Sequence, residues 1–378
     1  MSINNRYVIL QSIYWAVYAV AFGFVTYYLQ GNGISAGTVG LITAGAGVLA
    51  AIIQPYLGKI TDSGRASWKQ ILLILAVLYT ALNVILMVID SELVKAVVFG
   101  FFLAGISCFI PLANGASFYY ERHGEYVNFG FARGMGSLCY GIMAYVLGFI
   151  TVKAGVISVP AAGAISSIIL IVILLMMPCR KEAAADREER SGGSIVLKYK
   201  GFFIVVVGCT MALSFHAIVG NYMINIMEYA GGNSSHMGTA IAISAVMELP
   251  AMFLFSKIVK KISVEKLLVF SAVCFLLKAV VFLFAETVLM VYAAQLLQAV
   301  SFAVIIPASV YYAEVSMKPE DKMKGQAYMS LSMTVGSVIG SLCGGYLIQF
   351  LGIKAALICG VLFALLGIVL VVIGIRKR

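Results

Sequence analysis

Apolar residues run along this chain in long blocks separated by short polar joints. Twelve blocks approach or exceed the about 20 residues that a helix needs to cross a bilayer. They lie near 7–29, 38–57, 69–89, 96–119, 129–152, 156–177, 201–227, 237–258, 267–285, 288–312, 326–350 and 354–375. The pattern predicts an all-α membrane protein with twelve transmembrane helices. The first block is too long for the apolar core of a signal peptide, and no small-residue cleavage site follows it, so it reads as a retained span. The longest polar stretch, 178–200, carries both signs of charge. It reads as a linker between a six-helix bundle over 1–177 and a second over 201–378, with a short surface helix expected at Ala183–Glu189.

Composition narrows the class. Of 378 residues, 62% are hydrophobic and 11% charged, with a mean hydropathy of +1.02. Soluble domains are about a quarter charged, so a soluble enzyme, a nucleic-acid binder and a disordered chain are excluded. The net charge of +10 reports orientation instead. The joints on the side of the N-terminus hold 21 Lys and Arg, and the opposite joints hold 3, Lys95, Lys153 and Lys354. The positive-inside rule then places both termini in the cytoplasm, in a multi-pass protein of the cell membrane. Seven cysteines, six of them inside apolar runs, form no disulfide framework and no metal spacing. No cofactor is expected.

Two basic residues remain, and both stand inside spans: Arg133 and Lys278. Glu248 is the one acid of comparable depth. At about 1.5 Å per residue, Glu248 and Lys278 lie about 18 Å into their helices. A charge there costs roughly 2.5–3.5 kcal/mol, so these residues are expected to be paired, to face a watery cavity and to serve function. His216, in the seventh span, is a second titratable candidate. Trp15, Tyr14 and Tyr18 on the first span read as packing aromatics, Trp68 as an interface anchor, and Gln295, Gln298, Tyr328 and Ser330 as polar candidates in the second half.

The halves echo each other. Gly136-Ser137 returns as Gly336-Ser337, Pro111 with Tyr119-Tyr120 and Glu121 returns as Pro307 with Tyr311-Tyr312 and Glu314, and Gly37-Thr38 returns as Gly238-Thr239. Repeats of six helices are a common plan of secondary transporters.

After the second span the chain reads Gly58-Lys-Ile-Thr-Asp62-Ser-Gly64-Arg65, which resembles the signature loop of the major facilitator superfamily in slightly shortened form. Asp62 there is expected to cap a helix and Arg65 to pair with it or with lipid phosphate. Asn114-Gly-Ala-Ser117, Phe129-Gly130-Phe-Ala132-Arg133 and Met247-Glu248-Leu-Pro250 resemble the lactose permease branch, the oligosaccharide:proton and nucleoside:proton symporters. The resemblance implies the major facilitator fold, two six-helix bundles related by a pseudo-two-fold axis. It also implies substrate contacts at Arg133, Tyr140, Glu248, Asn114, Asn221 and Lys278. The family's acids and bases of the seventh, tenth and eleventh spans are absent; the tenth reads Gln298-Ala-Val-Ser301, and Leu213 and His216 stand where the seventh would carry Asp.

These readings converge on a secondary transporter, not an enzyme, that moves a small hydroxylated solute, sugar or nucleoside, by alternating access. Proton symport through Glu248, with His216 second, is the expected coupling, and sodium is the other ion considered. Small-molecule substrate, coupling ion and membrane lipid are the expected partners, nucleic acid is not, and a monomer is expected. A carrier of small organic anions, a drug exporter and a non-transporting sensor are the rivals.

Overall fold

The computed structural model describes residues 2–179 and 195–377. The surface helix expected at Ala183–Glu189 lies outside the described residues, as does most of the linker. No strand occurs among the described residues. The helices are α1 Ile3–Tyr18, prolonged by a π-helical turn Ala19–Gly23, α2 Val25–Gly31, α3 Ala36–Asp62, α4 Trp68–Val88, α5 Glu92–Arg122, α6 Phe129–Ala154 and α7 Ser158–Met176. They continue with α8 Ile195–Lys198, α9 Lys200–Asn221, α10 Met223–Tyr229, α11 Ser234–Ile258, α12 Val264–Leu283, α13 Val288–Leu296, α14 Phe302–Ser316, α15 Lys322–Leu351 and α16 Ile353–Arg376. Among the described residues eleven spans are long and apolar enough to cross a membrane, or twelve with the bent pair α1–α2 counted as one.

Helix starts follow local chemistry. Ser67 and Gln70 form a reciprocal capping box at the start of α4. The expected cap, Asp62, instead closes the end of α3. Asn128 caps α6, accepting from the Phe131 amide at 3.0 Å. Asn233 and His236 cap α11 in the same reciprocal way. Pro55, Pro111, Pro250 and Pro307 all stand inside helices that continue past them.

Three spans expected to be continuous are broken, none of them at a proline. The first bends by 44° beyond its π turn, at Phe24. The seventh pauses at Tyr222 between α9 and α10. The tenth unwinds between α13 and α14 through a 3₁₀ turn, Leu297–Ala299, and Ser301 leaves helical geometry at φ −98°, ψ −89°. Here Ser301 Oγ donates to the Leu297 carbonyl at 2.7 Å, and Ser271 Oγ of α12 donates to the Ser301 carbonyl at 2.7 Å. Both carbonyls also accept from the amides four residues on, Ser301 N at 3.0 Å and Ile305 N at 3.1 Å, so the hydroxyls add second hydrogen bonds that brace the irregular turn inside the apolar layer.

The chain forms two compact units. One comprises the first half except for residues 36–44. In it α1 packs on α6, and α4 packs on α7. A side chain at Gly136 of α6 would run into the Trp15 ring. Trp68 is buried edge-on against Tyr119 and Tyr120, so it is a packing residue of this unit, not the interface anchor expected.

The other unit comprises the second half together with Ala36–Ala44. Its centre is α9 against α15 and α16. A Cβ on Gly336 would lie 2.9 Å from the Thr210 carbonyl oxygen and 3.0 Å from Leu213 Cβ, so α15 approaches the α9 backbone to a distance that only glycine permits. Gly136 and Gly336, matched in sequence, thus do the same job, seating the fifth span of each half against its first.

Candidate substrate-binding residues

In the first unit, Arg133 sits one turn into α6, half-buried. Its Nη1 donates to Ser137 Oγ at 2.7 Å, one turn further on the same face. Its guanidinium lies over the Trp15 ring at 3.8 Å from the centroid, a cation–π contact. Trp15 Nε1 donates to Gln11 Oε1 at 3.2 Å. Gln11 Nε2 in turn donates to the Tyr7 hydroxyl at 2.8 Å and to Asn114 Oδ1 at 3.2 Å. Arg133 and Asn114, the sequence candidates, are therefore joined through Trp15, which the sequence reads as a packing aromatic, and through Gln11, which carries no signal of its own there. Tyr140 lies two turns from Arg133 and packs obliquely on Tyr18 at 6.2 Å between ring centroids. Tyr14, which shares the α1 face with Tyr18, is stacked on Phe109 and belongs to the core.

In the second unit, Lys278 of α12 is 1% exposed. Its ammonium donates to Gln298 Oε1, and Gln298 Nε2 donates to Glu248 Oε1 at 2.9 Å. The acid of α11 and the base of α12 are thus linked through a carboxamide that stands in the break of the tenth span and is itself 2% exposed. Between Glu248 and Lys278, two of the charges expected to be paired, this amide makes the link. Carboxamide geometry explains the arrangement, since Gln offers an acceptor to the ammonium and a donor to the carboxylate at once.

His216 of α9 is stacked on Phe302, 4.2 Å between centroids and 19° between planes. Its Nδ1 is buried without a hydrogen-bond partner among the described residues. Asn221, at the end of α9, donates to Ser341 Oγ at 2.7 Å on α15, whereas Glu248, Gln298 and Lys278 are gathered around the α13–α14 break. Gln295 is buried, its Oε1 without a hydrogen-bond partner among the described residues.

The signature loop is built as a turn. Gly64 takes φ +68°, a left-handed conformation that costs other residues energy. Gly58 and Asp62 line a cavity of about 670 Å³ in the first unit, together with Gln54, Trp68, Arg122 and His123. Arg65 is exposed.

A family model described as the MFS_1 like family matches residues 6–358. An uncharacterized transporter of Bacillus subtilis (strain 168), YwbF, is 21% identical over 345 residues, covering 90% of this chain and 85% of its own. Among solved structures, a mutant of the nucleoside transporter NupG superposes with a TM-score of 0.85 at 14% identity over 99% of both chains. A mutant of a peptide transporter, POT, gives 0.78 at 9% identity over 98% of this chain and 94% of its own. These likenesses establish the major facilitator fold.

Proposed function

The chain belongs to the MFS_1 like family, a family of membrane transporters and not of enzymes, and from that premise we propose that it carries a nucleoside or a similar hydroxylated solute by proton symport. The observation that carries this reading is the Lys278–Gln298–Glu248 chain. A carboxylate held by an amide accepts hydrogen bonds from vicinal hydroxyls, and charge-assisted bonds of this kind are the strong ones. Glu248 is also the deep acid able to bind and release a proton. In the first unit, Arg133 on Trp15, with Tyr18 and Tyr140 nearby, offers aromatic faces and a planar cation suited to a ring system. Asn114 and Asn221 are proposed as further polar contacts, and His216 as a subordinate proton site. The fold match to a nucleoside transporter favours nucleosides over sugars within this class.

The protein is proposed to work as a monomer in the cell membrane, with both termini cytoplasmic, a placement that the Lys and Arg distribution supports. A thermal-shift screen of the purified protein against nucleosides, monosaccharides and disaccharides, and small carboxylates tests the substrate class, since a ligand that binds the folded state raises the melting temperature by mass action. Stabilisation by nucleosides and not by carboxylates is expected. Stabilisation by carboxylates alone replaces the reading with that of an organic-anion carrier.

A further inference from the structure

A buried ammonium and a buried carboxylate attract strongly, and a direct ion pair in an apolar layer leaves neither group with much reason to separate. In the second unit the contact between Lys278 and Glu248 runs instead through one neutral side chain. That side chain comes from the one stretch of the tenth span that is not α-helical. The same stretch is held a second time by α12, through Ser271 Oγ on the Ser301 carbonyl. Ser271 and Lys278 are seven residues apart, two turns on one face of α12. The break is therefore tied to α12 at two points and to α11 at one.

We propose that Gln298 is a positioning residue of the binding site: it holds Lys278 off Glu248 and fixes the carboxylate for substrate, using the unwound backbone between α13 and α14 to reach both. The inference rests on the reading of Glu248 as a substrate contact. It goes beyond that reading by assigning the amide, and the break that presents it, a role in substrate affinity. A continuous helix would carry residue 298 on a regular helical track; the 3₁₀ turn at Leu297–Ala299 alters that track locally and narrows it. The acceptor that Gln298 gives the ammonium, with the Glu248 carboxylate one side chain beyond, helps a lysine at 1% exposure to stand in this layer.

Three variants test this. Gln298→Met keeps the length of the side chain and removes both hydrogen bonds. Lys278→Met removes the ammonium. The double variant removes both. In proteoliposomes, with uridine as the probe, Gln298→Met is expected to raise KM about tenfold or more with kcat within about twofold, the scale of one lost hydrogen bond to a charged group. The double variant is expected to recover a large part of that loss, because no ammonium remains to capture Glu248. A structural role alone would lower folded yield and kcat in the single variant and would gain nothing from the second substitution.

Thermal unfolding without substrate provides the arm that does not depend on uridine. Gln298→Met is expected to lower the melting temperature, and Lys278→Met in that background to restore it. If wild-type protein neither binds nor carries uridine while this stability pattern holds, the substrate reading fails and the holding role stands. Wild-type KM and melting temperature in Gln298→Met, or a double variant no better than the single one, overturns the proposal. Should Gln298→Met not fold, Gln298→Leu carries the same test: it too removes both hydrogen bonds, and it is expected to raise KM likewise and to be rescued by Lys278→Met.

Discussion

The two deep cations are held in different ways, and the difference sets their expected responses to substitution. Arg133 lies flat on Trp15 and donates to Ser137, a geometry that uses the planarity of guanidinium. Arg133→Lys keeps the charge, loses the stack and the fork, and is expected to cost about 1–2 kcal/mol of substrate binding, roughly a five- to thirtyfold rise in KM. Folding should be unaffected, as judged by size-exclusion profile and melting temperature; unchanged KM would remove Arg133 from the site. Glu248→Gln keeps the shape and an acceptor for Gln298 Nε2 but cannot bind and release a proton. It is expected to abolish accumulation against a gradient while exchange of labelled for unlabelled substrate persists. Accumulation at the wild-type level would exclude Glu248 as the coupling group.

At the scale of elements, packing depends on glycines that allow one backbone to approach another. Gly336→Val places a branched side chain against the Thr210 carbonyl and Leu213, where the backbone of α9 cannot yield cheaply. Overpacking of this kind costs about 1–3 kcal/mol. The melting temperature should fall, while the same change at Gly58, where a Cβ meets nothing within 4 Å, should leave it nearly unchanged. The short helix α8, at the end of the linker, is anchored by charge. Asp321, in the turn between α14 and α15, accepts from Lys198 of α8 at 2.6 Å and from the Tyr199 hydroxyl at 3.1 Å. The Lys198 ammonium holds the Asp321 carboxyl below its ordinary range, the neighbouring hydroxyl assists, and Asp321 raises Lys198 in return. A lowered carboxyl contributes stability above its unfolded pKa, near 3.9, and loses it as pH falls through the lower native value. Asp321→Asn should therefore melt below wild type at pH 7, and the gap should close as pH drops below about 4. A gap independent of pH would mean that the charge is not what holds α8.

For the whole molecule, orientation rests on the 21-to-3 distribution of Lys and Arg, which electrostatics reads across the entire chain and not at any one loop. Single cysteines placed at 185–190, in a background without the seven native ones, should react with an impermeant thiol reagent only in inside-out vesicles. Reaction in intact cells would invert the topology. The half-repeat is also a whole-chain property. Gly136 against Trp15 and Gly336 against Leu213 show equivalent packing in the two units.

Sequence alone determined the class, the number of spans and the three ionisable residues that stand inside spans. Each follows from local sums: apolar length against bilayer thickness, charge against solvation cost. Arg133, Glu248 and Lys278 were legible because an ionisable group in an apolar run has few inexpensive explanations. Trp15 and Gln11 were not, because an aromatic and an amide on an apolar helix look like packing until a partner from α6 or α5 arrives. The breaks at Ala19–Gly23 and Leu297–Ala299 carry no proline to announce them. The tenth-span break is held by hydroxyls, one of them 30 residues away, and Gln298 reaches a carboxylate 50 residues away. Only the tertiary structure decides such features, because their stability comes from contacts between helices and not from the order of residues along one.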